Sequence, residues 1–250
     1  MRRNLVQEQA DRDQACQEEG REPRGKGTGR VISRIERLRV GPIGENVYAI
    51  QSGDSDEARE TGLLIDPGDD ADAILRFLAE KGMGISLIVL THGHLDHTAA
   101  LPDLLARWKG DLPGIAIHRL DAGYLGVKGE STNKELFDRI NAAAFFHGYW
   151  KPLPEPTILL ADGDILPGTG LRVLHCPGHS AGSICLYDSE SATLISGDTL
   201  FRDGVGRSDG PDSDPEALQA SLARLAALPP DTLVFPGHGT RTTIGRELSR

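Results

Sequence analysis

The stretch Ile85-Ser86-Leu87-Ile88-Val89-Leu90-Thr91-His92-Gly93-His94-Leu95-Asp96-His97 decides the reading of this 250-residue chain. Its first six residues are apolar apart from one serine, which predicts a buried strand over 85–90. Three histidines and an aspartate then fall within six residues. They stand at the C-terminal end of a strand, where α/β proteins place their ligand loops. His92 and His94 are two residues apart, so in an extended loop both side chains point to one side. Asp96 and His97 are adjacent and diverge, which lets them serve a second, neighbouring ion. Imidazole and carboxylate together suit zinc, iron or manganese.

Outward from this loop, the same pattern of strand, glycine turn and acidic or imidazole side chain recurs. Cys176-Pro177-Gly178-His179-Ser180-Ala181-Gly182 places His179 between small-residue turns that allow close backbone approach. Ser196-Gly197-Asp198-Thr199 ends an apolar strand with a carboxylate able to offer one oxygen to each of two cations. Phe235-Pro236-Gly237-His238-Gly239 is a fourth such end. Asp66 in Ile65-Asp66-Pro67-Gly68 reads as a partner that orients a ligand histidine. Five of the eight histidines fall at such loops. His118, His147 and His175 do not and receive no metal role, and Cys176 reads as a buried thiol.

Between these points the periodicity predicts alternating elements. Ile35–Ile50 breaks at Gly41-Pro42 and Gly44 into two strands, and Thr61–Ile65 is a third. Apolar residues at helical spacing mark Ala71–Lys81, with Gly82 as its stop, and Ala99–Trp108. Gly114–His118 is a strand, Lys134–Phe146 has helical spacing, and the prolines at 152, 154 and 156 mark a loop. Strands follow at 157–160, 171–175, 183–187 and 193–196, then a helix over Asp214–Leu228 with Asp214-Pro215 as cap and first residue. A strand over Leu233–Phe235 and a helical turn over Thr243–Leu248 complete the pattern. Two halves of strands followed by helices imply sheets packed together with helices outside, in one α/β domain over 31–250. Residues 1–30, with seven basic and six acidic residues and few aliphatics, are expected to be a disordered tail.

The ordered series IDPG, THGHLDH, His179, Asp198 and His238 resembles the metallo-β-lactamase fold hydrolases over 31–250. The resemblance implies an αββα sandwich with a binuclear site at one edge. His92, His94 and His179 would bind one ion, Asp96, His97 and His238 the other, and Asp198 would bridge. It implies two divalent metal ions, zinc first and iron or manganese as alternatives, with Asp96 and Asp198 as catalytic residues and a metal-bridging hydroxide as nucleophile. Within the family, Gly197-Asp198-Thr199-Leu200-Phe201 and Gly204-Val205-Gly206-Arg207 are most similar to the glyoxalase II group. There a basic residue at the Arg207 position contacts the glutathione part of the thioester, so Arg207 is the expected substrate-binding residue. The chain continues only 12 residues past His238, so the helical domain typical of that group is not expected here. The short ending is similar to the single-domain bacterial members, and segment 119–156 is expected to cover the site instead.

The expected reaction is hydrolysis of a small-molecule thioester such as S-lactoylglutathione, with the thiol carrier open. An iron-dependent persulfide dioxygenase and a lactone or ester hydrolase are the alternatives on the same scaffold. A net charge of −10 argues against a nucleic-acid partner, whose phosphates demand a basic face. No apolar run approaches the ~18 residues of a membrane span. Three cysteines without a CxxC pair are not a disulfide scaffold, and the first twenty residues have no apolar signal core, so a reducing cytoplasm is expected.

Overall fold

In a computed structural model that describes residues 31–53 and 61–248, period-2 alternation decides how the strands are layered. The first sheet has six strands in chain order: β1 (Ile32–Val40), β2 (Glu45–Ser52), β3 (Gly62–Ile65), β4 (Ile85–Leu90), β5 (Gly114–His118) and β6 (Ile158–Leu160). β1 to β3 are antiparallel and β3 to β6 parallel. The second sheet has five strands ordered β13-β12-β9-β8-β7, from β7 (Arg172–His175), β8 (Ile184–Asp188), β9 (Thr193–Gly197), β12 (Leu233–Pro236) and β13 (Thr242–Thr243). A small hairpin, β10 (Leu200–Phe201) with β11 (Gly204–Val205), stands apart.

Leu63, Ile65, Leu87 and Val89 point between the sheets, where they meet Val173, Ile184, Leu186 and Ile195. Their neighbours Leu64, Ile88 and Leu90 point the other way. There they pack under α1 (Ala71–Lys81), α2 (Leu95–Thr98), α3 (Leu101–Arg107), α4 (Gly129–Arg139) and α5 (Ala143–Tyr149). Cys185, Leu194 and Val234 do the same for α6 (Pro215–Ala226) and α7 (Ile244–Leu248). Three cores between four layers make the αββα sandwich.

Most predicted elements are present. Asp214 caps α6 through hydrogen bonds from Glu216 N (2.9 Å) and Ala217 N (3.1 Å), with Pro215 at its start. Two helices differ from expectation. The helix predicted over 134–146 is two, because Asn141 takes a left-handed φ of 58° that a helix interior excludes and asparagine tolerates. The one predicted from Ala99 is preceded by the turn α2, which takes up Asp96 and His97. The expected 1–30 tail and Cys16 lie outside the described residues.

Candidate metal centre

Strand direction brings the loops together. β3, β4 and β5 run parallel, so their C-terminal ends, carrying Asp66, the histidine loop and Asp121, share one edge. β9 and β12 are parallel, and β7 is antiparallel to a strand antiparallel to β9, so His179, Asp198 and His238 share the matching edge of the other sheet. β2 runs the opposite way, so its first residue, Glu45, lies at that edge too. It bridges to His238 across the two sheets.

Three groups of ligand-type atoms result; one, Glu45 with Asp66 and His97, backs the other two. One ring nitrogen each from His92, His94 and His179 lie within 4.8 Å of one another. One atom each from Asp96, His97, Asp198 and His238 do likewise. Asp198 links them: its Oδ1 is 3.4 Å from His97 Nε2, while its Oδ2 is 3.8 Å from His179 Nε2 and 3.6 Å from His238 Nε2. Asp96 Oδ2 stands 3.3 Å from His238 Nε2 and 3.5 Å from His97 Nε2. All seven residues singled out by spacing are thus brought to one place. Gly237 is required there, since a Cβ on it would lie 2.2 Å from Asp198 Oδ1.

The hydrogen bonds fix where the ring protons sit. His179 Nδ1 donates to the Arg207 carbonyl (2.9 Å), which can only accept, so in the neutral ring Nε2 carries the lone pair. The Thr91 hydroxyl donates to Asp66 Oδ2 (2.6 Å), so it accepts from His92 Nδ1 (3.1 Å) and leaves His92 Nε2 bare as well. These two nitrogens face each other at 3.2 Å, and with both rings neutral no proton lies between them. His94 Nε2, His97 Nε2 and Asp198 Oδ1 are buried with no hydrogen-bond partner among the described residues. Converging imidazole nitrogens and a carboxylate oxygen left without partners are what a cation satisfies, so these residue types fit divalent metals.

Electrostatics agree with that assignment at His92 and His94 and differ at His97. Burial, aided by the charge of neighbouring histidines, pushes His94 down to about 3 and His92 well below its ordinary value, keeping both in the neutral, ligating form. Against the penalty of burial, the Asp198 and Asp96 carboxylates hold His97 well above its ordinary value. In the protein alone a proton on His97 stands where a cation would compete for it. His97 is 0% exposed, and its Nδ1 is 3.1 Å from Asp66 Oδ2. Asp66 also accepts Thr91 N (2.7 Å), and it holds a left-handed φ of 50°.

Two carboxylates that spacing does not single out complete the surroundings. Glu45 is 1% exposed, with Oε1 3.9 Å from His97 Nδ1 and neither oxygen hydrogen-bonded among the described residues; burial raises its pKa well above the carboxylate range. Asp121, 0% exposed, accepts from Gly93 N (3.0 Å), Ser180 Oγ (2.6 Å) and Gly182 N (2.5 Å). It ties the loop of His92 and His94 to the loop of His179. On the other side, Asn46 Nδ2 donates to the carbonyls of Pro236 (2.9 Å) and Gly239 (3.0 Å), flanking His238.

A cavity of about 310 Å³ opens over His94, Asp96, His179 and Asp198. Segment 119–156 supplies much of its wall through Leu136, Phe137, Ile140, Ala142 and Phe145. Arg207 also lines it, with its guanidinium in a bidentate pair to Asp209 (2.7 and 2.9 Å). The remaining histidines lie apart from the cluster: His118 and His175 stack at 4.1 Å, and His147 is exposed on α5. Cys176 is a buried free thiol. Among the described residues no helix is long and apolar enough to cross a membrane.

The chain matches known proteins over most of its length. The profile of the Metallo-beta-lactamase superfamily matches residues 40–238. The chain is 36% identical over 216 residues to an uncharacterized protein of Aquifex aeolicus, covering 85% of this chain and 93% of the relative. It is 32% identical over 193 residues to a hydroxyacylglutathione hydrolase of Haemophilus influenzae, covering 74% and 82%. Among solved structures, TTHA1623 in a di-iron-bound form superposes with a TM-score of 0.69 at 38% identity, covering 84% of this chain and 96% of that one.

Proposed function

Since this chain belongs to the metallo-beta-lactamase superfamily, we propose that it hydrolyses acyl thioesters of the S-lactoylglutathione type at a binuclear centre. Metal-dependent hydrolysis is the coarse activity its family membership carries; the thioester is our own reading. We assign His92, His94 and His179 to one ion, Asp96, His97 and His238 to the other, and Asp198 to both. The observation that carries this is the pair of bare nitrogens, His92 Nε2 and His179 Nε2, held 3.2 Å apart.

Divalent ions bound there would lower the pKa of water from 15.7 to about 7 and polarise the substrate carbonyl. The protein's own residues do the orienting. The Arg207 carbonyl and Asp66 hold the Nδ1 protons of His179 and His97, so each ring presents Nε2 inward. A thiolate leaves with a pKa of about 8.5, so departure requires no general acid. The similarity to a hydroxyacylglutathione hydrolase supports the thioester, and the sparse cysteines support a reducing cytoplasm.

The test is metal analysis with hydrolysis of S-lactoylglutathione by the wild type, Asp198→Ala and Arg207→Ala. Asp198→Ala is expected to lose about 100-fold or more in kcat/KM together with bound metal. Arg207→Ala, if it contributes uniform binding, raises KM and spares kcat. Full activity in a metal-free Asp198→Ala sample refutes the scheme. One iron per chain with oxygen uptake on glutathione persulfide and no thioester cleavage replaces it with dioxygenase chemistry.

A further inference from the structure

The cavity over the histidines is lined by six apolar side chains from two separate segments. Leu136, Phe137, Ile140, Ala142 and Phe145 come from α4, α5 and their connection. Ile43 comes from the turn between β1 and β2, where it is 51% exposed. The wall is braced rather than loose. Phe145 stacks on Phe137 (5.4 Å, 8°) and on Tyr149 (4.4 Å, 19°), while Leu136 and Phe137 root it in the core.

Apart from the cluster itself, the polar side chains of this wall are two. Arg207 is already compensated by its bidentate pair with Asp209. The Ser213 hydroxyl donates to the His179 carbonyl (2.7 Å) and accepts from Gly210 N (3.1 Å). Glutathione brings two carboxylates and an ammonium group. Arg207 is the one cation this wall offers them outside the cluster, and the six apolar side chains are left to the acyl part. An alkyl or aryl group, by contrast, loses only water on entering.

We infer that the cavity takes an apolar acyl group of several carbons, and that acyl chain length sets specificity at this site. The inference rests on the hydrolase reading above, with the carbonyl delivered to the Asp96 and Asp198 side and the chain lying along Phe137, Ile140 and Phe145. Burial is worth about fourfold per methylene, so a six-carbon chain gains roughly 200-fold over a two-carbon chain.

Two series separate this inference from the hydrolase reading. The first is hydrolysis of acetyl, butyryl and hexanoyl thioesters of N-acetylcysteamine by the metal-loaded protein. The second is calorimetric binding of the ethyl and hexyl thioethers of the same carrier, which contain no cleavable bond. The expected result is a rise in kcat/KM and a matching fall in Kd along each series. Both trends flatten in Phe145→Ala and in Ile43→Ser, the latter on an exposed turn where the core is untouched. Hexyl and ethyl thioethers that bind within about threefold of each other overturn the inference even if thioesters are cleaved. A steep series that neither variant alters also overturns it. A steep, variant-sensitive thioether series with no thioester cleavage upholds the apolar cavity and sinks the hydrolase reading instead.

Discussion

Replacing Asp121 by alanine is expected to damage both the fold and the site, because of what it leaves behind. Its carboxylate is fully buried and accepts from Gly93 N at 3.0 Å, Gly182 N at 2.5 Å and Ser180 Oγ at 2.6 Å. Ser180 keeps a second partner in Ser183 Oγ at 2.7 Å. The two backbone N–H groups have none to replace it among the bonds of the described residues. Each orphaned buried donor costs about 1–3 kcal/mol, so Asp121→Ala loses roughly 2–6 kcal/mol. For a chain of this size that lowers the melting temperature by roughly 10 °C. The loss also has a location. Gly93 separates His92 from His94, and Ser180 follows His179, so the trio His92, His94 and His179 loosens. Removing an outer partner of a ligand typically weakens metal binding by about 10–100-fold. The assay is competitive titration against a chelator, followed by thermal melting of metal-loaded and chelated protein. Asp121→Asn sharpens it, since its amide must aim an N–H at one of the two backbone N–H donors and is expected to rescue little. A variant of either kind with wild-type melting and wild-type affinity for both ions refutes the reasoning.

Two further outcomes follow from single contacts. His118, buried and stacked on His175, is pushed down to about 4 by burial and then by the charge of His175. Its folded pKa lies below its unfolded value of about 6.5, so the unfolded chain binds the extra proton and stability is lost as pH falls from about 6.5 towards 4. Urea unfolding is expected to show about 2 kcal/mol more loss between pH 7 and pH 4.5 in the wild type than in His118→Gln, and equal losses would exclude this role. Gly237→Ala would drive a methyl to 2.2 Å from Asp198 Oδ1 and 2.7 Å from His97 Cε1. It is expected to reduce bound metal per chain and to cost about 1–3 kcal/mol, and an undiminished metal content would contradict the close approach.

What could be read without coordinates was the part written in residue types and short spacings. Ile85–Leu90 announces a strand, and Thr91–His97 announces what its end carries. Asp214-Pro215 announces the start of α6, and its side chain makes the cap. Asp198 and His238 were legible because each ends an apolar run at a glycine turn. The helix break at Asn141 was not, because one residue in the left-handed region leaves the apolar spacing on either side intact. Asp121 and Glu45 were invisible for a deeper reason. Asp121 answers to backbone donors 28 and 61 positions away, and a backbone N–H belongs to every residue type except proline. Glu45 reaches the cluster only because β2 runs against β3, which puts the beginning of one strand beside the end of the next. The cavity wall follows the same rule. Leu136, Phe137 and Phe145 read as ordinary core spacing, and only the folding of α4 and α5 over His94 and Asp96 turns part of that core into a cavity wall. Which side chains gather is therefore a property of motif, whereas their orientation and the wall above them are properties of topology.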